Sequence, residues 1–161
     1  MSRTRWLPPS DCAVLLRLLC PTNALAMEVA LDTGLRISDV LALRSDQLGS
    51  QRITVREQKT GKLRRVYLSQ SLWEHLKASS GSLYVFEGRD SPTRHRTRQA
   101  VWKDVRRAAK AMRVSHISCH SARKVYAVDI YRKRGLAAAQ AALGHDRPET
   151  TLIYLASELL I

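Results

Sequence analysis

Cysteine is scarce in this chain of 161 residues: Cys12, Cys20 and Cys119 make an odd count with no Cys-x-x-Cys pair. That is no disulfide framework, and a reducing intracellular compartment fits it best. No apolar run approaches membrane-spanning length. The opening Met-Ser-Arg-Thr-Arg-Trp-Leu-Pro-Pro lacks the apolar core of a secretory signal, so a cytoplasmic protein without a membrane partner is expected. No internal repeat, low-complexity tract or linker divides the chain. No Gly-x-Ser-x-Gly elbow supports a serine hydrolase. Acidic residues are few as well, with 14 Asp plus Glu against 27 Lys plus Arg.

That last shortage leaves a net charge of +13, which points first to a polyanion, with nucleic acid the commonest case. A membrane surface fits less well, because the charge is spread along the chain and no basic helix carries a large aromatic face. With 45% apolar residues, the chain has enough to bury a core, and its length suits one domain.

The periodicity predicts a mainly α protein with one small antiparallel sheet. A helix opens at Pro9-Ser10-Asp11, with Ser10 or Asp11 as its cap, and ends at Pro21. A second runs from about Asn23 to Asp32 and stops at Gly34. Ser38 is read as the cap of a third, short helix. Arg52–Glu57 and Leu63–Leu68 are β-type runs joined by a hairpin through Thr60-Gly61. Further helices are expected from Gln70 to about Ala78, with Ser69 as cap, and from Arg96 to Met112. Others follow from Ser121 to Arg134, from Leu136 to Leu143, and from Pro148 onward. Leu83–Phe86 is a short strand or buried segment. Tyr67, Tyr84, Tyr126 and Tyr131 fall in strands or apolar helix patterns and read as packing residues. In the Arg96–Met112 helix, Lys103, Arg107 and Lys110 lie opposite the apolar stripe. With Arg96 beside them, they are read as a DNA-phosphate-facing surface.

One set of polar residues carries chemistry. Arg36 follows Gly34 in a turn between helices, where its side chain can enter a cleft. Arg123 sits in the first turn of a helix, and His120 lies three residues earlier at a helix start that attracts anions. Two arginines can grip the non-bridging oxygens of a phosphodiester. A leaving 5′ oxygen needs a proton, which Lys59 at the hairpin tip can supply; Lys62 is its local competitor. The Lys-Thr-Gly-Lys stretch is no P-loop. Gly144 before His145 gives a turn that aims the imidazole inward. Tyr154 can return to the same cleft, and nearby cations with a histidine acceptor help a phenol lose its proton. His116, Cys119 and His120 offer a weaker alternative as metal ligands, for which no fourth ligand is evident.

These residues resemble the catalytic domain of the tyrosine recombinases, the phage integrase family. Gly34-Leu-Arg-Ile-Ser-Asp-Val-Leu-Ala-Leu43 is similar to the family's first arginine box, and Lys59-Thr-Gly to its hairpin lysine. His120-x-x-Arg123, Leu143-Gly-His145 and Tyr154 are similar to its second box, in order. The likeness spans about residues 10–155. It implies that Arg36, Arg123, His120 and His145 bind and activate the scissile phosphate. Lys59 would be the general acid, and Tyr154 would form a 3′-phosphotyrosyl bond with no metal and no cofactor. Asp39, at the acidic position of the first box, implies a supporting role. Double-stranded DNA is the expected partner, with self-association on DNA. The chain departs from the family in reading Lys-Val-Tyr after Arg123, where members often carry His-Thr-Phe. The expected organisation is one catalytic domain over 1–161, with a basic lead-in over 1–9. No DNA-clamping domain is expected before it, and seven residues follow Tyr154, a short tail for docking on a neighbouring protomer. A DNA-binding regulator keeping the fold without the reaction, and a topoisomerase with the same chemistry, are the alternatives.

Overall fold

Three of the helices open on proline and two close on glycine. The computed structural model describes residues 4–159. Helix α1 (Pro9–Leu18) has Pro8 at its cap, so neither Ser10 nor Asp11 caps it. Pro9 takes the first helical position, where no N–H is needed, and Asp11 falls in the positively poled first turn. Helix α2 (Pro21–Thr33) starts on Pro21 by the same rule, two residues before the expected Asn23. Pro21 therefore begins one helix as well as ending another. Gly34 closes α2 in the left-handed region at φ 69°. Helix α3 (Ile37–Leu41) is capped by Arg36 in extended conformation, not by Ser38.

Strands β1 (Arg52–Arg56) and β2 (Leu63–Tyr67) form the antiparallel hairpin, with Ile53 opposite Val66. Helix α4 (Gln70–Ser79) follows; Ser69 holds the cap position without a side-chain hydrogen bond. The Leu83–Phe86 run is buried at Val85 and Phe86, and Val85 N–H donates to Leu43 O at 2.9 Å. Helix α5 (Arg98–Ala111) begins two residues later than expected, because Thr97 Oγ1 accepts from Ala100 N–H and caps it there. Helix α6 (His120–Leu143) breaks at Gly135, which divides the two helices that the sequence predicts. Helix α7 (Pro148–Leu159) carries Tyr154.

The core is built around α2. Ala26, Met27, Val29 and Ala30 are all 1% exposed or less, so this helix is covered on nearly every side. Leu41, Leu43, Leu68, Leu76 and Phe86 complete the main cluster. A second cluster joins the far half of α6 to α7 through Ala127, Val128, Ala139, Leu143 and Leu155. Tyr126 and Tyr131 pack there. Tyr67, expected to pack, is 59% exposed on the outer face of β2, because the alternation turns Val66 inward.

The lead-in strap is docked. Arg5 N–H donates to His116 O at 2.8 Å, Lys124 Nζ donates to Thr4 O at 3.0 Å, and Arg132 stacks over Trp6. Residues 1–3 of the expected lead-in and 160–161 of the expected tail lie outside the described residues. Among the described residues, no helix is long and apolar enough to cross a membrane.

Candidate active site

Two helix ends and the hairpin meet at Arg123. This side chain is 3% exposed. Its Nη1 donates to Gly34 O at 2.7 Å and its Nη2 to Leu143 O at 2.9 Å. One guanidinium thus bridges the carboxy-terminal ends of α2 and α6, where the helix dipoles favour a cation. Burial, reinforced by Arg36 and Arg64, pushes Arg123 down to about 10, which leaves it charged at neutral pH.

Gly34 is the residue this meeting requires. A Cβ there would stand 2.3 Å from the Tyr126 ring, and its φ is one that side chains rarely adopt. The ring lies against bare backbone, and α6 can approach the turn that presents Arg36. Arg36 is mostly covered, with Nη1 3.1 Å from Glu57 Oε2. That contact lacks hydrogen-bond alignment, and Nη1 is left as a buried donor without a partner.

Tyr154 approaches from α7. Its ring meets His145 edge-on, with centroids 5.9 Å apart and planes at 82°. The hydroxyl is buried with no hydrogen-bond partner. Burial raises the phenol to about 12, against the pull of Arg123 and Arg36. Gly144, in left-handed conformation, turns the chain at the end of α6 so that His145 faces α7. His145 Nδ1 pairs with Thr151 Oγ1 at 2.9 Å, and Thr151 is fully buried. Burial, then Arg123 and Arg36, lowers His145.

His120 and Lys59 close the other side. They line one groove with Arg36, Ser38, Arg98 and Trp102. Burial, then Arg123 and Arg36, lowers His120 as it does His145. Lys62, the competitor for the hairpin role, is engaged elsewhere, pairing with Asp146 beyond the His145 turn. Asp39 is buried beneath the hairpin. Its Oδ1 accepts from Gln58 N–H at 2.9 Å, Oδ2 has no partner, and burial raises the carboxyl. Arg36, Lys59, His120, Arg123, His145 and Tyr154 thus converge on one region, with Asp39 behind it.

Two residues of this region are absent from the sequence reading. Glu57 is 1% exposed and pairs with Arg36 and Arg64. Burial pushes its carboxyl up, but the Thr60 hydroxyl, Arg36 and Arg64 outweigh that and hold it below the usual range. Arg64 also donates to Ala142 O at the end of α6. The signal for Glu57 lies in the strand alternation, since Ile53, Val55 and Glu57 share one buried face. A carboxylate at an inward register position needs a buried cation.

The four residues read as phosphate-facing on and before α5 divide. Lys103, Arg107 and Lys110 are all exposed, and Arg96 is half-buried. Arg107 donates to Asp104 and to Leu18 O, and Arg96 donates to Asn23. Those two guanidiniums make contacts within the chain, because Asp104 lies against the α1–α2 junction, where Cys20 N–H and Asn23 also donate to it, while the Arg107 side chain stays 59% exposed. The basic residue of α5 that borders the groove is Arg98. Of the weaker metal triad, Cys119 is buried and its thiol is pushed up to about 11. Among the described residues, no group of three or more His, Cys, Asp or Glu is placed to hold a metal ion.

The sequence pattern of the phage integrase family matches residues 5–159. The integrase of Escherichia phage P2 is 26% identical over 152 residues, covering 94% of this chain and 42% of that protein. Among solved structures, a lambda integrase dimer bound to a COC′ core site superposes with a TM-score of 0.80 at 19% identity, over 96% of this chain and 48% of that one. The XerH recombinase bound to a palindromic difH substrate gives 0.76 at 22% identity, over 98% and 51%. The catalytic domain of bacteriophage HP1 integrase gives 0.73 at 21% identity, over 98% of this chain and 92% of that one. The chain therefore spans about half the length of the phage P2, lambda and XerH proteins, and nearly the whole of the excised HP1 catalytic domain.

Proposed function

The chain belongs to the phage integrase family, and from that premise we propose that it cuts and rejoins double-stranded DNA as a tyrosine-type site-specific recombinase. Residues 4–159 act as one catalytic unit. The observation that carries this reading is the buried, unpartnered Tyr154 hydroxyl beside His145 and under the influence of Arg123 and Arg36. A packing tyrosine would find a partner or reach water. The Tyr154 ring packs against the α6–α7 cluster, and its unmatched hydroxyl supports reading it as the group that meets an incoming phosphate.

Each residue then has a task. Arg36 and Arg123 grip the non-bridging oxygens and offset the charge that gathers in the transition state. His120 and His145 are lowered and therefore neutral at pH 7. His120 can donate to the phosphate, and His145, whose Nδ1 pairs with Thr151, keeps Nε2 to accept the phenolic proton and then to donate it to the phosphate. The Tyr154 oxygen attacks phosphorus, the bond to the 5′ oxygen breaks, and that oxygen takes a proton from the Lys59 ammonium. A 3′-phosphotyrosyl bond and a free 5′ hydroxyl result, and attack by a 5′ hydroxyl reverses the step. Asp39 supports Lys59 from below through Gln58 N–H. Neither a metal nor a nucleotide cofactor has a task in this scheme. Arg98, Lys103 and Lys110 contact the DNA backbone, and copies of the chain associate on DNA, a reading supported by the likeness to a lambda integrase dimer bound to a COC′ core site.

The test is covalent capture. Purified protein is incubated with nicked duplexes of randomised sequence, whose cleaved end diffuses away, and the products are run on a denaturing gel. The expected outcome is a protein–DNA band that survives a chelator. Retardation of DNA without any covalent band would assign the chain to DNA binding alone.

A further inference from the structure

Lys59 stands between two buried carboxylates. On one side, Asp39 Oδ1 accepts from the N–H of Gln58 at 2.9 Å. On the other, Glu57 Oε2 accepts from the Thr60 hydroxyl at 2.8 Å. The same Glu57 closes the turn with its backbone, its N–H donating to Lys62 O at 2.9 Å and its carbonyl accepting from Gly61 N–H at 2.8 Å. Both carboxylates are 2% exposed or less, whereas Gln58, Lys59 and Thr60 are exposed. An exposed hairpin tip bearing one long lysine would ordinarily be mobile. Here the residues on either side of the lysine are pinned to fixed points in the core.

Glu57 does more than hold the turn. Its Oε2 also faces Arg36 at 3.1 Å, and its Oε1 accepts from Arg64, which reaches on to the end of α6. One buried carboxylate thus links the hairpin, the Arg36 turn and the helix end that precedes His145.

We infer that Glu57 is a positioning residue that fixes Lys59 against the leaving oxygen through the Thr60 hydroxyl and sets Arg36 from behind. This rests on the reading of Lys59 as the general acid and Arg36 as a phosphate ligand. Arg36 has N–H groups to spare, so Glu57 can orient it while leaving others for phosphate.

Leaving-group chemistry separates positioning of the acid from a general loss of structure. A bridging sulfur in place of the 5′ oxygen leaves as a thiolate and needs no proton. A defect confined to the general acid therefore disappears on that substrate. Thr60→Val keeps the volume and deletes only the hydroxyl that ties the tip to Glu57. Its cleavage of the oxygen substrate should fall about tenfold, part of what a general acid is worth, and should return to the parent rate with sulfur. Glu57→Gln should lose more on oxygen and regain only part on sulfur, because its Arg36 contact is also weakened. Lys59→Ala gives the reference for full dependence on the acid.

The substrate is the duplex recovered by covalent capture, made with oxygen and with sulfur. A Thr60→Val rate equal to the parent's on oxygen would overturn the inference. So would a loss of the same size on both substrates. These outcomes are distinct from failure of the underlying reading. That would appear as no covalent product from the parent chain, or as a Lys59→Ala defect that sulfur does not relieve.

Discussion

Tyr154 carries a cost at the residue scale. Its hydroxyl is buried without a partner, and burial raises it to about 12. A buried hydroxyl left unmatched costs roughly 1–2 kcal/mol, so Tyr154→Phe should be more stable than the parent by about that much in urea unfolding while losing covalent chemistry. The pH dependence follows from the same shift. The folded value is raised above the ordinary 10, so the neutral phenol favours the folded state below pH 10, and that contribution is lost as pH rises toward 12. Equal urea midpoints across pH 7–11 for parent and Tyr154→Phe would contradict this. Arg36 and Arg123 differ in the same physical terms. Arg123 satisfies two helix-end carbonyls, so Arg123→Ala should destabilise the fold as well as the reaction. Arg36→Ala should cut cleavage by roughly a hundredfold, the scale of a lost oxyanion donor. Wild-type cleavage by Arg36→Ala would remove it from the site.

At the scale of elements, α5 shows why a charged face cannot be read from a helical wheel alone. Lys103, Arg107 and Lys110 look alike in sequence, yet Arg107 is drawn to Asp104, which the fold sets against the start of α2. Burial of Asp104 opposes its ionisation, but Asn23, Cys20 N–H and Arg107 outweigh that and hold it down to about 2. A depressed carboxyl contributes stability above its unfolded value, lost as pH falls from about 4 toward 2. Asp104→Asn should therefore lower stability by about 2 kcal/mol at pH 7 in denaturant unfolding, with the difference fading toward pH 2. An undiminished difference at pH 2 would argue against the clasp. Binding separates the same residues. Lys103→Ala, Lys110→Ala or Arg98→Ala should each flatten the salt dependence of DNA binding by about one phosphate contact, whereas Arg107→Ala should leave the slope alone.

The elements themselves were largely legible in the sequence, because α2 and α6 end at glycines, α1, α2 and α7 open on prolines, and the hairpin alternates cleanly. Cap positions were not. Pro9 and Pro21 open their helices where Ser10 and Asn23 looked the better starters, since a proline at the first turn needs no partner for its missing N–H. The side chains that the fold gathers around Arg123 also stand in motifs visible in the sequence. Glu57 and Arg64 were not legible, because their roles depend on long-range pairing across β1, β2 and the end of α6.

For the whole molecule, the proposed reaction asks for both the excess of positive charge and the buried Tyr154. If the net charge of +13 serves the proposed DNA partner, binding should weaken by about a thousandfold between 50 and 200 mM salt. Attraction alone does not cut a strand. In the proposed reaction that step needs the ends of α2 and α6 and the hairpin held together, which Arg123, Glu57, Arg64 and the Lys62–Asp146 pair do. The most direct measurement is the identity of the residue that carries DNA. Captured adduct is digested with nuclease and protease, and the modified peptide is sequenced by mass spectrometry. A nucleotide joined through its 3′ phosphate to Tyr154, and no adduct from Tyr154→Phe, is the predicted result. A remnant on Tyr126 or Tyr131, or an adduct that persists in Tyr154→Phe, would contradict it.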